Sequence, residues 1–198
     1  MDIGRALDIR IVAAGQGRQM TLYKTVLIDP PWSYRNKKTG GNMISGAAAK
    51  YPTMDIWDLL QLPVKNVMDK NSIMWLWATT PMLPDALELM SYWGYQYKTI
   101  VYWRKIMSLG MGYWFRGQIE LLLLGIRGKI KAFHCQKPNF MQSKVQKHSQ
   151  KPEDSYKLIE LVSPEPRLEL FACRERKGWT TIGYDIGSDV KDFLKQGA

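Results

Sequence analysis

Four consecutive residues, Asp29-Pro30-Pro31-Trp32, follow the apolar run Thr25-Val26-Leu27-Ile28. They set a carboxylate, two rigid backbone carbonyls and an indole at the mouth of what reads as a buried strand. This set suits the alkylation of an amino group whose lone pair is delocalised into an aromatic ring, such as N6 of adenine. Such a group is a poor nucleophile until hydrogen-bond acceptors draw it toward tetrahedral geometry. The Asp29 carboxylate and the Pro30 carbonyl can each accept one of its hydrogens, and neither proline has an N–H to compete. Trp32 offers a ring face to hold a base. An Asp-Pro turn also ends strands for purely structural reasons, so the rest of the chain has to decide.

Charge is the second signal. The net charge of +10 is concentrated between Leu89 and Pro152, where eleven lysines and arginines meet a single acid, Glu120. Outside that window seventeen basic residues balance seventeen acidic ones. Arg127, Lys129, Lys131, Lys144 and Lys147 succeed one another with no acid between them, the footprint of a polyanion site. Phe133, His134 and Phe140, interleaved with them, favour nucleic acid over a membrane surface. Lys37 and Lys38 add positive charge near the tetrapeptide.

These residues need a scaffold. At 198 residues the chain is expected to form one domain, 1–198. No apolar run approaches the ~18 residues of a membrane span, and no signal peptide is evident, so an intracellular location is expected. Cys135 and Cys173 are isolated; neither a disulfide nor a metal site is indicated. Apolar runs predict strands over 25–29, 72–78, 97–103, 120–126, 167–172 and 180–183. Helices are predicted after Thr53 as N-cap, from Pro84 to about Gly94, and from Pro152 with Leu158, Leu161 and Val162 on one face. Runs such as Ile73-Met74-Trp75-Leu76-Trp77 are apolar on both faces, which fits an open α/β sheet covered by helices on each side.

Two stretches lack periodicity. Residues 34–50, with Gly40, Gly41 and Gly46, read as a lid that closes over substrate. Residues 108–118 carry Tyr113, Trp114, Phe115 and Arg116 among glycines. Those aromatics either stack on bases or pack beneath the sheet.

Taken in order, the landmarks resemble one family. They are Asp29-Pro30-Pro31-Trp32, Lys50-Tyr51-Pro52-Thr53-Met54, Trp75-Leu76-Trp77, Trp93-Gly94-Tyr95, Glu120 ahead of Gly125-Ile126-Arg127-Gly128, Lys151-Pro152-Glu153, and Glu169-Leu170-Phe171-Ala172 before Gly178-Trp179. The chain is similar over nearly its whole length to the MT-A70 family of S-adenosylmethionine-dependent adenine-N6 methyltransferases. The resemblance implies a Rossmann-like methyltransferase sheet in permuted motif order, with the catalytic tetrapeptide ahead of the cofactor motif. It also implies S-adenosyl-L-methionine as cofactor and a nucleic-acid partner. The compact chain looks like bacterial or bacteriophage members acting on DNA, in the cytoplasm and with a homodimer allowed. RNA, or a catalytically silent nucleic-acid-binding partner, is the alternative.

Residue roles follow by position. The resemblance makes Asp29, Pro30, Pro31 and Trp32 catalytic, with Tyr51 and Glu120 near the target adenine. Asp8 and Ile9 would contact the cofactor's adenine. Lys151, next to the helix that begins at Pro152, would bind its carboxylate, a role the helix N-terminus independently favours. Phe171 and either Arg174 or Arg176 would reach the ribose; the alternative is that Cys173 stands at the arginine's position instead. Gly183-Tyr184-Asp185 stands where relatives have Gly-Asn-Gln or Gly-Asn-Glu, and Asp185 could still accept from a ribose hydroxyl.

Overall fold

The computed structural model describes residues 22–33, 53–106, 114–146 and 150–196. Asp8, Ile9, Lys37, Lys38, Tyr51, Tyr113 and Lys147 lie outside them, as does the expected lid over 34–50.

Seven strands form one sheet: β1 (Tyr23–Ile28), β2 (Met68–Thr79), β3 (Gln96–Ile106), β4 (Ile119–Arg127), β5 (Phe140–Lys144), β6 (Arg167–Leu170) and β7 (Trp179–Ile182), in the spatial order β5-β3-β4-β2-β1-β6-β7. Among the described strands only β4 runs against its neighbours; every other pairing is parallel. The helices are α1 (Ile56–Leu60), α2 (Leu83–Tyr92), α3 (Glu153–Val162) and α4 (Val190–Gln196).

The apolar runs become strands because both faces of the central sheet are buried. Alternation along β1 and β2 sends Val26, Ile28, Met74 and Leu76 to one face, where they meet Leu59, Leu89, Met90 and Leu194 of α1, α2 and α4. Leu27, Ile73, Trp75 and Trp77 go to the other, against Tyr156 and Ile159 of α3. Leu76 is fully buried, so its truncation to Ala is worth about 2–5 kcal/mol.

Some elements differ from expectation. The N-cap of α1 is Asp55, whose carboxylate accepts from Asp58 N–H at 2.9 Å, and not Thr53; an aspartate takes the orphan amide of the first turn. On α3, Ser155, Tyr156 and Ile159 are buried and the expected Leu158 and Val162 pack partly buried against the same core, while Leu161 is 64% exposed. β5 and α4 carry no continuous apolar run. β5 is an edge strand of alternating exposure, so it lacks the two-sided burial that marks the others.

The topology fixes where a ligand can lie. From β1 the sheet grows toward β2, and β6 and β7 are added on its other side. The crevice beyond the C-terminal ends of β1 and β6 is therefore the switch point at which open α/β sheets bind ligands.

Candidate active site

Asp29 follows β1 directly, and its backbone N–H reaches the Leu170 carbonyl at the end of β6 at 3.4 Å. The tetrapeptide is locked from its other side: Met54 N–H donates to Pro31 O at 2.8 Å, and Ser33 N–H to Met54 O at 3.0 Å. These bonds give the turn one conformation.

Asp29 shares the sheet face of Leu27, the α3 face. Lys151, one residue before Pro152 at the head of α3, meets it there with Nζ 2.9 Å from Oδ2. The same ammonium lies 3.2 Å from Glu120 Oε2 at the start of β4, and Lys105 at the end of β3 pairs with the other Glu120 oxygen. The order Asp29, Lys151, Glu120, Lys105 is thus an alternating row of charges. Two indoles floor it: the Lys151 ammonium lies 5.3 Å from the Trp77 ring and the Lys105 ammonium 5.2 Å from the Trp103 ring, and the rings meet edge to face at 6.0 Å.

The row separates the two carboxyls. Burial pushes Asp29 above the ordinary aspartate range; Lys151 only partly opposes this, and Glu120 adds to it. Glu120 is also penalised by burial, but Lys151 and Lys105 together outweigh that and hold it below its ordinary value. Burial would lower the Lys151 pKa, yet its two carboxylate partners raise it. Lys151 therefore stays an ammonium, and two of its three N–H groups have carboxylate partners.

Behind Asp29, Glu169 on β6 is 6% exposed. Its Oε1 accepts from the Tyr156 hydroxyl at 2.7 Å, and its Oε2 is buried without a partner among the described residues. Burial raises it to about 7, with Asp29 contributing. Next to it Phe171 takes φ +64°, a left-handed backbone rare for a non-glycine residue. Strain of this kind, about 1–3 kcal/mol, concentrates at ligand sites.

Several expected residues sit elsewhere or act differently. Trp32 is buried, and its indole N–H donates to Trp77 O at 3.1 Å, so the ring expected to face a base anchors the tetrapeptide to β2. The Pro30 carbonyl already accepts Trp32 N–H at 2.8 Å, so that among the described residues one lone pair and not two remains. Arg174 and Arg176 both bind Glu153, Arg176 through two bonds of 2.8 and 2.6 Å. Arg176 also stacks 3.7 Å from the Tyr156 ring, so its guanidinium is committed to α3. Cys173 does come to the crevice: its thiol lies against Asp185, and burial, then Asp29 and Asp185, push it up to about 11.

Gly183 is required by packing, because a Cβ there would sit 2.1 Å from the Ala172 carbonyl, and its N–H is taken by Ser188 Oγ at 3.0 Å. Tyr184 is 75% exposed. Trp114 and Arg116 are exposed in the β3–β4 loop, at the strand ends that carry Glu120. The basic run is divided. Lys144 ends β5 opposite Ile106, on the Asp29 side of the sheet. Arg127 ends the antiparallel β4 at the opposite side, where Lys129 N–H bonds Asn71, so neither borders the crevice. Lys131 is exposed in the segment after them.

Lys105, Trp77 and Trp103 were not expected in the site. Period-two alternation puts Trp103 and Lys105 on one face of β3, and the antiparallel register sets Glu120 opposite Trp103. Knowing that β3 and β4 pair would have found them.

The donor set also fits an amino-acid-bearing cofactor. An ammonium with one N–H unpartnered among the described residues suits a carboxylate, and the acidic lining suits a cation. Phe171 and Asp185 border the same strand ends.

The MT-A70 family profile matches residues 23–185. The chain belongs to the MT-A70 family. It is 28% identical over 193 residues to the Type II methyltransferase M.MunI of Mycoplasma sp, covering 88% of this chain and 82% of that one. It is 26% identical over 196 residues to the human N(6)-adenosine-methyltransferase catalytic subunit METTL3, covering 92% of this chain but 30% of that protein. An N(6)-adenosine-methyltransferase MT-A70-like protein of Arabidopsis thaliana matches at 25% identity, over 83% of this chain and 24% of its own. The chain thus spans most of the Mycoplasma protein and less than a third of the human and plant ones.

Proposed function

We propose that this MT-A70 protein transfers a methyl group from S-adenosylmethionine to N6 of adenine in nucleic acid, with DNA favoured over RNA. The observation that carries the reading is the buried Asp29–Lys151–Glu120 row at the switch-point crevice, directly beside the locked tetrapeptide. S-adenosylmethionine, when bound, supplies an already activated methyl group, which leaves the protein chiefly the tasks of positioning and charge complementarity.

Asp29 and the remaining lone pair of Pro30 O accept the two N6 hydrogens and turn the nitrogen lone pair toward the methyl group. Lys151 favours the ionised form of Asp29, partly offsetting its burial, and its third N–H would be directed to the cofactor carboxylate. Glu120 fixes Lys151 in place and lies within reach of the base. Trp32 keeps the tetrapeptide on β2. In duplex substrate the adenine is extruded, at a cost of a few kcal/mol of unstacking.

The mutual coverage with a Type II methyltransferase favours DNA. The adenosine-methyltransferases among the relatives support RNA as the competing substrate. The cytoplasm of a bacterial or bacteriophage-infected cell is the expected location. The test is transfer of labelled methyl from S-adenosylmethionine to duplex DNA, single-stranded DNA and RNA in parallel. Label at adenine N6 in DNA is expected. Label in RNA alone would replace the substrate, and no transfer to any polynucleotide would overturn the reading.

A further inference from the structure

The described part of the β3–β4 loop begins with two adjacent aromatics that are almost wholly exposed: Trp114 is 93% exposed and Phe115 90% exposed. An isolated exposed aromatic needs no explanation, but two side by side cost hydration and mark an interaction surface. Their position narrows the partner. The loop is clasped at its root by Lys105 N–H to Gln118 O at 2.8 Å, and it leads directly into Glu120 of the charge row. Phe115 and Glu120 are five residues apart, a Cα separation of at most roughly 17 Å, or about five base steps along a strand. Arg116 is the next residue, and Lys144 lies at the root of the loop opposite Ile106. No acid other than Glu120 lies between Leu89 and Pro152. The exposed aromatic pair thus has cationic neighbours, suited to a polyanion with an apolar interior.

We propose that Phe115 is a wedge that enters the base stack of duplex DNA and holds open the step from which the target adenine leaves. This rests on the methyl-transfer reading above and adds to it a duplex substrate and the residue that opens it. Phe115 fits better than Trp114 because phenylalanine carries no polar atom. Inside a stack it loses no hydrogen bond, whereas an indole N–H would. Trp114 then stacks at the margin and Arg116 meets the phosphate.

The test uses a duplex library with one central adenine in randomised flanks, opposite thymine in one preparation and opposite an abasic residue in the other. Turnover is read with labelled S-adenosylmethionine. Phe115→Ala is expected to lower the ratio of paired to unpaired turnover at least tenfold. Phe115→Leu, still an apolar wedge, is expected to keep the ratio within about threefold of wild type. An equal fall on both duplexes, or no fall, overturns the wedge. So does wild-type transfer to single strands alone, which leaves the methylation reading standing; failure of transfer to every polynucleotide removes both. Sedimentation run alongside detects the other occupant: if Phe115→Ala abolishes self-association and the ratio is unchanged, the aromatic pair docks on a second copy of the chain.

Discussion

Lys151 and Glu153 are two residues apart, yet one joins a buried charge row and the other a solvent-facing clamp. The Lys151 side chain is 12% exposed and its partners Asp29 and Glu120 are 21% and 13% exposed. Glu153 is 44% exposed and holds Arg174, itself 42% exposed, together with Arg176. In the row, burial opposes the charges of Asp29, Glu120 and Lys151, and the attractions decide which carboxyl ionises easily and which does not. In the clamp, both arginines simply favour the charged form of Glu153. Similar ion pairs therefore do different work: the row can poise a carboxylate for chemistry, and the clamp ties the 174–176 segment to the head of α3.

The largest expected effect is Asp29→Ala. Turnover should fall at least roughly a hundredfold, while cofactor affinity measured by calorimetry falls much less, because Lys151 still has Glu120. The matching change in the clamp, Glu153→Ala, should alter turnover only slightly. Comparable losses in the two variants would erase the distinction between row and clamp.

Lys151→Ala should weaken S-adenosylmethionine binding by about 1.5–3 kcal/mol, as for a hydrogen bond to a charged group. It should also move the acid limb of the pH–rate profile. Lys151 lowers the Asp29 pKa against the raising effect of burial, so without it the pKa rises further. The working carboxylate then disappears at a higher pH as the solution is acidified. An acid limb that stays in place would mean that Lys151 does not favour the ionised form of Asp29.

The carboxyl of the clamp is shifted in the opposite direction. Hydrogen bonding from Arg176, and then Arg174, holds Glu153 down at about 2 against a usual 4.5. Its stabilisation is complete above pH 4.5 and is lost as pH falls from there toward 2. Because the pair is half in solvent, Glu153→Gln should cost only about 1 kcal/mol at pH 7, a Tm decrease of roughly 2–4 °C. The melting points of variant and wild type should converge in acid. A gap that persists at pH 2 would show the cost to be packing and not charge.

The parts of this arrangement that were legible in the chain share one property: they are local. Thr25-Val26-Leu27-Ile28 and Leu121-Leu122-Leu123-Leu124 read as strands because burial on both faces leaves an unbroken apolar run, and Asp29-Pro30-Pro31-Trp32 marks the end of one. Lys151 was legible from its place before a helix start. What was hidden depends on pairing between distant residues. Lys105 joins the row only because β3 lies against β4, and Arg176 is drawn to Glu153 across 23 positions. Trp32 looked available for stacking because burial beneath the neighbouring strand cannot be read from a tetrapeptide. β5 was invisible for the reason that makes it an edge, since half its side chains face water.

The smallest effect concerns the basic surface, where the same contrast between crevice and periphery recurs. Lys144 lies at the strand ends that carry Asp29, whereas Lys129 follows β4 at the other side, roughly 25 Å away along nine strand residues. A nucleic acid whose adenine enters the crevice should lay phosphates on Lys144 and leave Lys129 in solvent. Each phosphate contact removed flattens the slope of log K against log salt by about 0.9 for duplex DNA. Lys144→Ala should therefore reduce the slope by about one unit and weaken binding alike for all sequences. Lys129→Ala should leave the slope within error, as read by titrations of a fluorescent duplex between 50 and 200 mM salt. Equal reductions would mean that the polynucleotide wraps the sheet from one strand end to the other. The footprint would then be the whole basic run between Arg127 and Lys144, not the mouth of the crevice alone.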